Sequence, residues 1–355
     1  MTQGPNTSGF LLASASSDDI PGYREFDDKS VLVTGGTGSF GRRFVRHVLR
    51  RSTARRVVIY SRDEFKQYEM ANEFANERTE ALRFFIGDVR DQARLAMAMR
   101  EIDVVVHAAA LKHVPAAEYN PFECIRTNVN GAENVVHAAL QNGVDKVVAL
   151  STDKAANPIN LYGASKLASD KIFVAANNLS GSAGTRFAVV RYGNVVGSRG
   201  SVLPLFRKLI AGRADHLPIT DERMTRFWIT LQQGVDFVVS AISIMRGGEI
   251  FVPKIPSTKI TDIAAAMAPH LPIRMIGVRP GEKLHEVMVT EDDSRLTLEL
   301  KDRYVIEPAF SFWTRSAYIG LGAVPVSDGF RYASDTNDQW LTGDALIRLL
   351  AEEPG

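Results

Sequence analysis

Residues 31–44, VLVTGGTGSFGRRF, join an apolar run to a basic segment through a turn rich in glycine. The turn satisfies GxxGxxG from Gly35 and GxGxxG from Gly36, and both spacings end at Gly41. Because these glycines follow a predicted strand and open a predicted helix, they have the context of a turn that binds a dinucleotide pyrophosphate. We therefore expect cofactor contacts from Gly35, Thr37, Gly38, Ser39, Phe40 and Gly41.

Short apolar runs alternate with stretches of helical length from residue 30 to about residue 193. The runs are SVLVT, RRVVIYS, LRFFIG, DVVVHAA, DKVVALS and RFAVVRYG, and the helical stretches are 40–51, 63–78, 91–100, 123–142 and 162–179. Continuous β-branched runs are typical of strands buried on both faces of a parallel sheet, with right-handed βαβ connections. The pattern predicts an α/β fold built on a doubly wound parallel Rossmann sheet.

Three regions are expected along the chain. Residues 1–28 have no basic segment ahead of the short apolar run FLLA, so we expect a mobile tail and neither a signal peptide nor a spanning helix. Residues 29–193 are expected to form the dinucleotide-binding Rossmann domain. In residues 194–355 the alternation weakens and loops rich in Pro, Gly and Arg gather. This region is expected to be mainly a smaller C-terminal substrate-binding lobe, with some segments returning to the Rossmann domain.

The composition narrows the possible partners. The 355 residues include 42 basic and 41 acidic side chains, so bulk charge predicts neither a nucleic-acid partner nor a membrane surface. Cys124 is the only cysteine, which excludes an internal disulfide and a cysteine-based metal site and favours a reducing cytosol. No spacing of His, Asp and Glu suggests a metal. We expect a cytoplasmic protein.

The residues after the second predicted strand bear on the type of dinucleotide. Ser61, Arg62 and Lys66 offer a hydroxyl and two cations, which suit a 2′-phosphate better than a bare ribose diol, so NADP is favoured over NAD. Asp63 could bind the ribose, but its place before EFKQYEM favours a helix N-cap. Asp88, after the third strand, either flanks the adenine with Val89 or forms a strand-end turn.

Two pairs of ionisable residues follow the fifth predicted strand. Tyr162 and Lys166 stand four residues apart, a spacing that places both on one face of a helix. Just upstream, the strand DKVVALS runs into Thr152, Asp153 and Lys154. The second pair raises the question of what an acid and a base add to a site that already has a tyrosine and a lysine.

Several short motifs follow one another in a recognisable order: TGxxGxxG, HAAA at 107–110, TNVNG at 127–131, YGASK at 162–166 and RYGNVVG at 191–197. This order resembles that of the extended short-chain dehydrogenases/reductases that act on nucleotide sugars. Within that superfamily, SRDEFKQ, ALKHVPAAEYNPFE, STDKAANP, TDERMTRFW and RPGEKLHE together resemble the UDP-N-acetylglucosamine 4,6-dehydratases that invert C5, as in pseudaminic-acid-type pathways. The resemblance covers most of residues 29–300 and adds Ala108, Ala109 and Lys112 to the expected cofactor contacts.

The resemblance implies a division of work between the two pairs. Tyr162 would take the proton of the sugar C4 hydroxyl while Thr152 hydrogen-bonds the same oxygen, and the Lys166 cation would help to lower the tyrosine pKa. The C4 ketone then makes H5 acidic, so Asp153 and Lys154 can act as the acid and base that expel water across C5 and C6. A hydride returned to C6 completes a redox-neutral cycle.

This assignment has a physical cost. In water, a protonated Asp beside a neutral Lys lies about 6.5 pK units, or roughly 9 kcal/mol, above the ion pair. Burial must close much of that gap. Neighbouring residues on a strand point to opposite faces, so Asp153 and Lys154 reach one sugar only if the strand ends near Thr152.

The stereochemistry at C5 is expected from Lys154. The related dTDP-glucose dehydratases, which retain the configuration, have Thr-Asp-Glu where this chain has Thr-Asp-Lys. A different base at C5 favours inversion.

Substrate contacts are expected from the second half of the chain. Arg226 and Arg279 suit a diphosphate because guanidinium groups are planar and permanently charged. The resemblance implies that Glu282 accepts the uridine ribose hydroxyls, and we expect Thr220 at the edge of the uracil. Asn194 either donates to a phosphate or orders its own loop. Lys112 is expected to border the sugar, whereas His107, which follows a buried strand, is expected to be structural.

Two other functions fit parts of this pattern. A UDP-sugar C4 epimerase needs Tyr162 and Lys166 but no acid and base at 153 and 154. A non-catalytic NADP-binding regulator needs none of the reacting groups, all of which are present here. Self-association as a homo-oligomer, a dimer or a hexamer, is expected from the resemblance alone.

Overall fold

The computed structural model describes residues 22–181, 184–197, 201–310 and 316–352. Its central feature is a parallel sheet at the positions of the predicted strand runs. The first strands are β1 (Ser30–Thr34), β2 (Arg56–Ser61), β3 (Leu82–Ile86), β4 (Val104–His107), β5 (Lys146–Thr152) and β6 (Arg186–Tyr192). They lie side by side in the order β3-β2-β1-β4-β5-β6, and all pair in parallel. The predicted doubly wound Rossmann sheet is confirmed.

Helices cross over between these strands. They are α1 (Ser39–Arg51), α2 (Glu64–Glu73), α3 (Gln92–Ala98), α4 (Val114–Tyr119), α5 (Pro121–Ile125), α6 (Gly131–Asn142) and α7 (Leu161–Ser180). A π-helical turn, Arg126–Asn130, joins α5 to α6, so the predicted helix at 123–142 is continuous but irregular. The strand cores Leu32, Val105 and Val148 are fully buried, because the helices cover the sheet and exclude water from its apolar runs.

The second half of the chain contains shorter elements. The strands are β7 (Asn194–Val195), β8 (Leu217–Ile219), β9 (Thr225–Ile229), β10 (Ile250–Pro253), β11 (Ser257–Lys259), β12 (Ile273–Met275), β13 (Val287–Val289), β14 (Thr297–Glu299), β15 (Arg303–Ile306), β16 (Val324–Pro325) and β17 (Tyr332–Ala333). The helices are α8 (Val202–Ala211), α9 (Leu231–Ile244), α10 (Ile260–Met267), α11 (Ser316–Ile319) and α12 (Gly343–Glu352).

Part of this second half extends the central sheet. Strand β10 pairs in parallel with β6, and β15, β14 and β16 then add antiparallel strands, which gives a ten-stranded sheet. Strands β8 and β9 and helices α8, α10 and α12 contribute to a separate apolar cluster that includes Leu203, Phe206 and Trp228. The second half therefore divides between a smaller lobe and the edge of the main sheet.

The N-terminal segment differs from the expected tail. Residues 1–21 lie outside the described part of the chain, but Tyr23–Phe26 form a 3-10 helix. Phe26 is fully buried and meets Phe44 of α1 edge to face, with ring centroids 5.7 Å apart. The expectation of a mobile tail through residue 28 is wrong for this segment, because two aromatic side chains anchor it to the core.

Within the described residues, no helix combines the length and apolarity that crossing a bilayer requires.

Candidate active site

The glycine turn places the start of α1 at the carboxyl edge of the sheet. Gly38 is the N-cap of α1, and within the described residues no side chain caps the N–H groups that open this helix. A Cβ on Gly41 would lie only 2.5 Å from the Cα of Gly36, so glycine is needed where the helix packs on the turn. Uncapped N–H groups beside a close-packed glycine turn fit the pyrophosphate of a dinucleotide.

The end of β2 lies beside this turn. The hydroxyl oxygens of Thr37 and Ser61 are 2.9 Å apart, and both residues are buried. Asp63 caps α2, because its carboxylate accepts the backbone N–H of Lys66 at 3.0 Å, so the N-cap interpretation is confirmed. Arg62 is exposed, and its guanidinium lies 3.5 Å from Asp88.

Asp88 is fixed by an arginine that the sequence analysis did not single out. The guanidinium of Arg90 donates to one Asp88 carboxylate oxygen through Nε at 2.9 Å and Nη2 at 2.7 Å. Although burial acts to raise the pKa of Asp88, the hydrogen bonds from Arg90 hold it below the usual value. The strand-end turn is present, since the Arg90 backbone N–H also donates to Asp88 at 2.9 Å. Contact with adenine stays a prediction for Asp88 and for the buried Val89.

The end of β4 lies at the carboxyl edge of the sheet, beside the glycine turn that follows β1. The His107 imidazole is buried, and its Nδ1 is 2.8 Å from the Thr34 hydroxyl. Burial and the nearby Lys166 charge lower the pKa of His107 to about 3, so this ring is neutral and structural, as the sequence indicated. Ala108 and Ala109 follow it next to the glycine turn, where the Ala109 N–H donates to Thr34 at 3.3 Å. Lys112 lies further along this loop and is exposed.

The acid and base that follow β5 share one small cluster. The strand ends at Thr152, and Asp153–Ala155 form a 3-10 turn, which is the strand end that the chemistry required. The Thr152 hydroxyl donates to Oδ1 of Asp153 at 2.8 Å, and Nζ of Lys154 lies 3.0 Å from the same oxygen. Asp153 is fully buried, and its Oδ2 has no hydrogen-bond partner among the described residues.

Tyr162 and Lys166 lie on helix α7, which contacts the 3-10 turn of this cluster. Asn160 caps the helix by accepting the Gly163 N–H at 2.8 Å. A Cβ on Gly163 would overlap the carbonyl oxygen of Lys154, so glycine lets α7 pack directly on the 3-10 turn. Tyr162 and Lys166 are both buried on this helix, and Tyr162 interacts with Thr152 and Lys154 of the cluster.

Burial dominates the electrostatics of these groups. It raises the pKa of Tyr162 to about 12, against the lowering effects of the Lys154 charge and a hydrogen bond with Thr152. Burial also lowers the pKa of Lys166, while the Asp170 carboxylate acts in the opposite direction. Among the groups that most affect Tyr162, the cation is Lys154, and the predicted lowering of the tyrosine pKa by Lys166 stays a prediction.

Glu286 is a member of this cluster that the sequence analysis missed. It precedes β13 directly, is buried, and places Oε1 3.3 Å from Nζ of Lys154. The Asn194 side-chain oxygen lies 3.4 Å from the same ammonium group. Glu286 stands in the quoted motif RPGEKLHE, and its position just before the apolar run VMV was the signal that could have identified it.

The expected substrate residues take different positions. Arg226 on β9 is buried, and its guanidinium donates to the carbonyl oxygens of Lys283 at 2.9 Å and Leu284 at 3.0 Å. It also lies 3.7 Å from each of the carboxylates of Glu282 and Glu286. A diphosphate contact from Arg226 therefore stays a prediction that has to compete with these partners.

The other expected uridine contacts are less enclosed. Thr220 follows β8 and donates to the Met224 sulfur at 3.3 Å, and the same sulfur accepts from Arg226 at 3.1 Å. Arg279 is exposed, and its backbone N–H donates to Glu282 at 3.4 Å. The described contacts link Thr220 and Glu282 to Arg226, whereas they do not bring the Arg279 guanidinium into the cluster.

In the described part of the chain, no group of three or more His, Cys, Asp and Glu side chains could hold a metal ion.

Comparison with known proteins gives consistent relationships. Residues 31–308 match the family model described as "Polysaccharide biosynthesis protein". The UDP-N-acetylglucosamine 4,6-dehydratase (inverting) of Campylobacter jejuni is 55% identical over 93% of this chain and 99% of its own length. The UDP-glucose 4-epimerase of Rickettsia akari is 43% identical over 79% of this chain and 83% of its own. The structure of Pen from Bacillus thuringiensis superposes with a TM-score of 0.83 at 37% identity, over 92% of this chain and 98% of that chain.

Proposed function

This chain belongs to the polysaccharide biosynthesis protein family and is a relative of the inverting dehydratases, and from that premise we propose that it dehydrates UDP-N-acetylglucosamine with inversion at C5. The product would be UDP-2-acetamido-2,6-dideoxy-β-L-arabino-hex-4-ulose, and the cofactor NADP. The observation that carries the proposal is the buried cluster of Thr152, Asp153 and Lys154 beside Tyr162 and Lys166.

The glycine turn and the start of α1 would hold the cofactor. Bound there, NADP would supply an acceptor for the hydride of C4 and a donor of hydride to C6. Ser61 and Arg62 stand at the end of β2 as a hydroxyl and a cation for a 2′-phosphate. Because Asp63 is engaged as a helix cap, it competes poorly for a ribose diol. This arrangement supports NADP over NAD.

The protein groups then divide the proton transfers. Tyr162 takes the C4 hydroxyl proton, and Thr152 orients that oxygen by a hydrogen bond. Burial raises the pKa of Tyr162 to about 12, which keeps the phenol protonated at neutral pH in the free protein, so the Lys154 cation and the electrostatics of the filled site must favour the tyrosinate that accepts the proton. Lys166 lies one helical turn away and would hold the cofactor ribose.

Elimination follows at the neighbouring carbons. The C4 ketone makes H5 acidic, Lys154 removes it, and Asp153 protonates the departing C6 hydroxyl. Burial raises the pKa of Asp153, although the Lys154 charge opposes it, and this direction favours the protonated acid that the step requires. Arg226, Arg279 and Glu282 would bind the diphosphate and the uridine ribose, with Thr220 at the uracil.

The experiment is to incubate the full chain with UDP-N-acetylglucosamine in D2O, with and without added NADP, and to follow the sugar by proton NMR. We expect a new C6 methyl signal, deuterium at C5 and couplings of an L-arabino ring. An Asp153→Asn variant, which lacks the acid, is the matched control and should form no methyl group.

Three other outcomes are informative. A methyl group with the C5 configuration retained would leave a dehydratase but exclude inversion. A galacto epimer without a methyl group would indicate a C4 epimerase, in line with the Rickettsia relative. No change in either condition would overturn the proposal. Self-association as a dimer or hexamer stays a prediction, which light scattering of the full chain tests.

A further inference from the structure

Glu286 occupies a position that the chemistry described above does not use. Its side chain is only 2% exposed, and its carboxylate meets Lys154 at 3.3 Å and Arg226 at 3.7 Å. Its Oε2 is buried and has no hydrogen-bond partner among the described residues. The backbone is fixed as well, because Glu286 N donates to the Ser334 hydroxyl at 2.9 Å and Ser334 N donates to the Glu286 carbonyl at 2.8 Å. A buried carboxylate held this firmly against a reacting lysine needs an explanation.

The ammonium group of Lys154 therefore lies between two carboxylates. One oxygen of Asp153 is 3.0 Å away and one oxygen of Glu286 is 3.3 Å away. If Asp153 were the only counter-ion, its protonation would leave a largely buried ammonium group unpaired, which is costly. With Glu286 in contact, Asp153 can take a proton while Lys154 keeps an ion pair.

We propose that Glu286 is a positioning residue for the elimination: its carboxylate pairs with the Lys154 ammonium group that forms when H5 is removed, so that Asp153 is free to hold the proton for the departing C6 hydroxyl. This inference rests on the proposed function. The neutral amine of Lys154 removes H5, whose bonding pair forms the C5–C6 double bond, and the resulting ammonium group pairs with the Glu286 carboxylate. Asp153 gives its O–H proton to O6, which leaves as water with the C6–O6 bonding pair.

The surrounding charges do not remove the need for Glu286. The ionisable groups that face the cluster from the packed elements are Tyr162 of α7, Arg226 of β9, and Glu282 and Lys283 of the loop before β13. Lys283 donates to the Ala156 carbonyl at 2.6 Å, and Arg226 divides its charge between Glu282 and Glu286. Among the described residues, the carboxylates paired with the Lys154 ammonium group are those of Asp153 and Glu286.

The directions of the pKa shifts agree with Glu286 as a carboxylate that stabilises the Lys154 ammonium group. Burial acts to lower the pKa of Lys154, but the Asp153 and Glu286 charges raise it above the usual value. Burial raises the pKa of Asp153, Lys154 lowers it, and Glu286 raises it again. For Glu286, burial is outweighed by Lys154 and Arg226, so its pKa lies below the usual value. The pKa values of the two carboxyl groups are thus shifted in opposite directions, with the proton favoured on Asp153.

The test compares the native enzyme with Glu286→Gln and Glu286→Asp, using Glu299→Gln as the control. Glu299 lies on β14, where its carboxylate is 2.6 Å from the Lys254 ammonium group, so Glu299→Gln should leave product formation unchanged. Formation of the C6 methyl product is measured from pH 5 to pH 9, and single-turnover absorbance of the reduced nicotinamide reports oxidation at C4. Thermal unfolding of each variant reports folding.

In Glu286→Gln, we expect product formation at neutral pH to fall about 10²- to 10⁴-fold, the range of general acid–base catalysis, while oxidation at C4 persists and reduced cofactor accumulates. Because Asp153 then becomes the sole counter-ion of Lys154, the Asp153 carboxylate stays ionised to lower pH. The alkaline limb of the pH profile should therefore move to lower pH, and Glu286→Asp should recover part of the rate.

Two results would overturn the inference. One is a Glu286→Gln variant with the native rate and profile. The other is a loss by the same factor at every pH together with loss of C4 oxidation, which is what a structural role alone would produce. If the native enzyme itself forms no methyl product, the proposed function fails and this inference fails with it. If only the variant data disagree, the proposed function stands.

Discussion

Both ends of Lys66 are held by Asp63: one carboxylate oxygen accepts the Lys66 backbone N–H at 3.0 Å, and the other lies 3.1 Å from its ammonium group. This arrangement bears on cofactor choice, because it engages the carboxylate that could otherwise bind a ribose diol. It also pairs the Lys66 ammonium group with a carboxylate. The cation at the end of β2 that is available for a 2′-phosphate is then chiefly Arg62, whose partner Asp88 is 3.5 Å away.

Replacing Arg62 should therefore separate the two dinucleotides. A charge-assisted hydrogen bond contributes about 1.5–3 kcal/mol, so Arg62→Ala should weaken NADP binding about 10- to 100-fold and change NAD binding much less. Isothermal titration of both cofactors measures this difference. Lys66→Ala, which removes a cation already paired with Asp63, should have the smaller effect. Equal losses for NADP and NAD would contradict the assignment of Arg62.

The contact between Gly41 and Gly36 makes a prediction about the cofactor turn. A Cβ at residue 41 would be 2.5 Å from the Gly36 Cα, so Gly41→Ala must push α1 away from the turn. We expect lost cofactor binding and a lower melting temperature. Gly234 in α9 is the matched control, because a Cβ there meets nothing within 4 Å. Gly234→Ala should keep binding and raise stability by about 0.5–1 kcal/mol. Equal effects of the two substitutions would show that packing at the turn is unimportant.

The anchored N-terminal segment predicts a stability effect far from the site. Phe26 is fully buried against Phe44, so Phe26→Ala should lower the free energy of unfolding by about 3–5 kcal/mol. Phe65 on α2 is 65% exposed, and Phe65→Ala should change it by less than about 0.5 kcal/mol. Urea unfolding of both variants is the measurement. Similar values for the two would contradict the packing of residues 23–26.

Local patterns sufficed for the first half of the fold. Each apolar run gave a strand within a residue or two of its predicted position, since continuous burial in a parallel sheet imposes continuous apolar sequence. Helical spacing placed Tyr162 and Lys166 on one face of a helix, and the resemblance supplied their expected roles. Asp153 and Lys154 needed the resemblance as well, because a strand-end ion pair is common without any catalytic role.

Contacts between distant segments were not predictable in the same way. Glu286 reaches Lys154 across 132 positions of the chain, and β15 joins the sheet through antiparallel pairing with β10. Neither arrangement leaves a periodic signal, because both depend on how the lobe folds back over the sheet. The packing of residues 23–26 was not predictable for a related reason. The sequence YREF is short and partly polar, and only tertiary packing buries Tyr23 and Phe26.

The buried imidazole of His107 predicts how stability depends on pH. Burial and the Lys166 charge lower its pKa to about 3 from an ordinary value of 6.5. As pH falls below 6.5, the unfolded chain binds a proton that the folded chain does not, so folding loses up to about 1.4 kcal/mol per pH unit from this group until the pH approaches 3. Half-buried His47, with a pKa lowered to about 4, has the same sign.

A His107→Gln variant isolates the contribution of this ring. Glutamine can still hydrogen-bond Thr34 but does not titrate, so the difference in unfolding free energy between native and variant should shrink by about 2 kcal/mol between pH 6.5 and pH 5. Above pH 7 the difference should be constant, and the exposed His137→Gln variant serves as the control. Urea unfolding at half-unit pH steps measures the curves. Parallel curves for native and His107→Gln would mean that the folded protein admits a proton at His107, against its burial between Thr34 and Phe173.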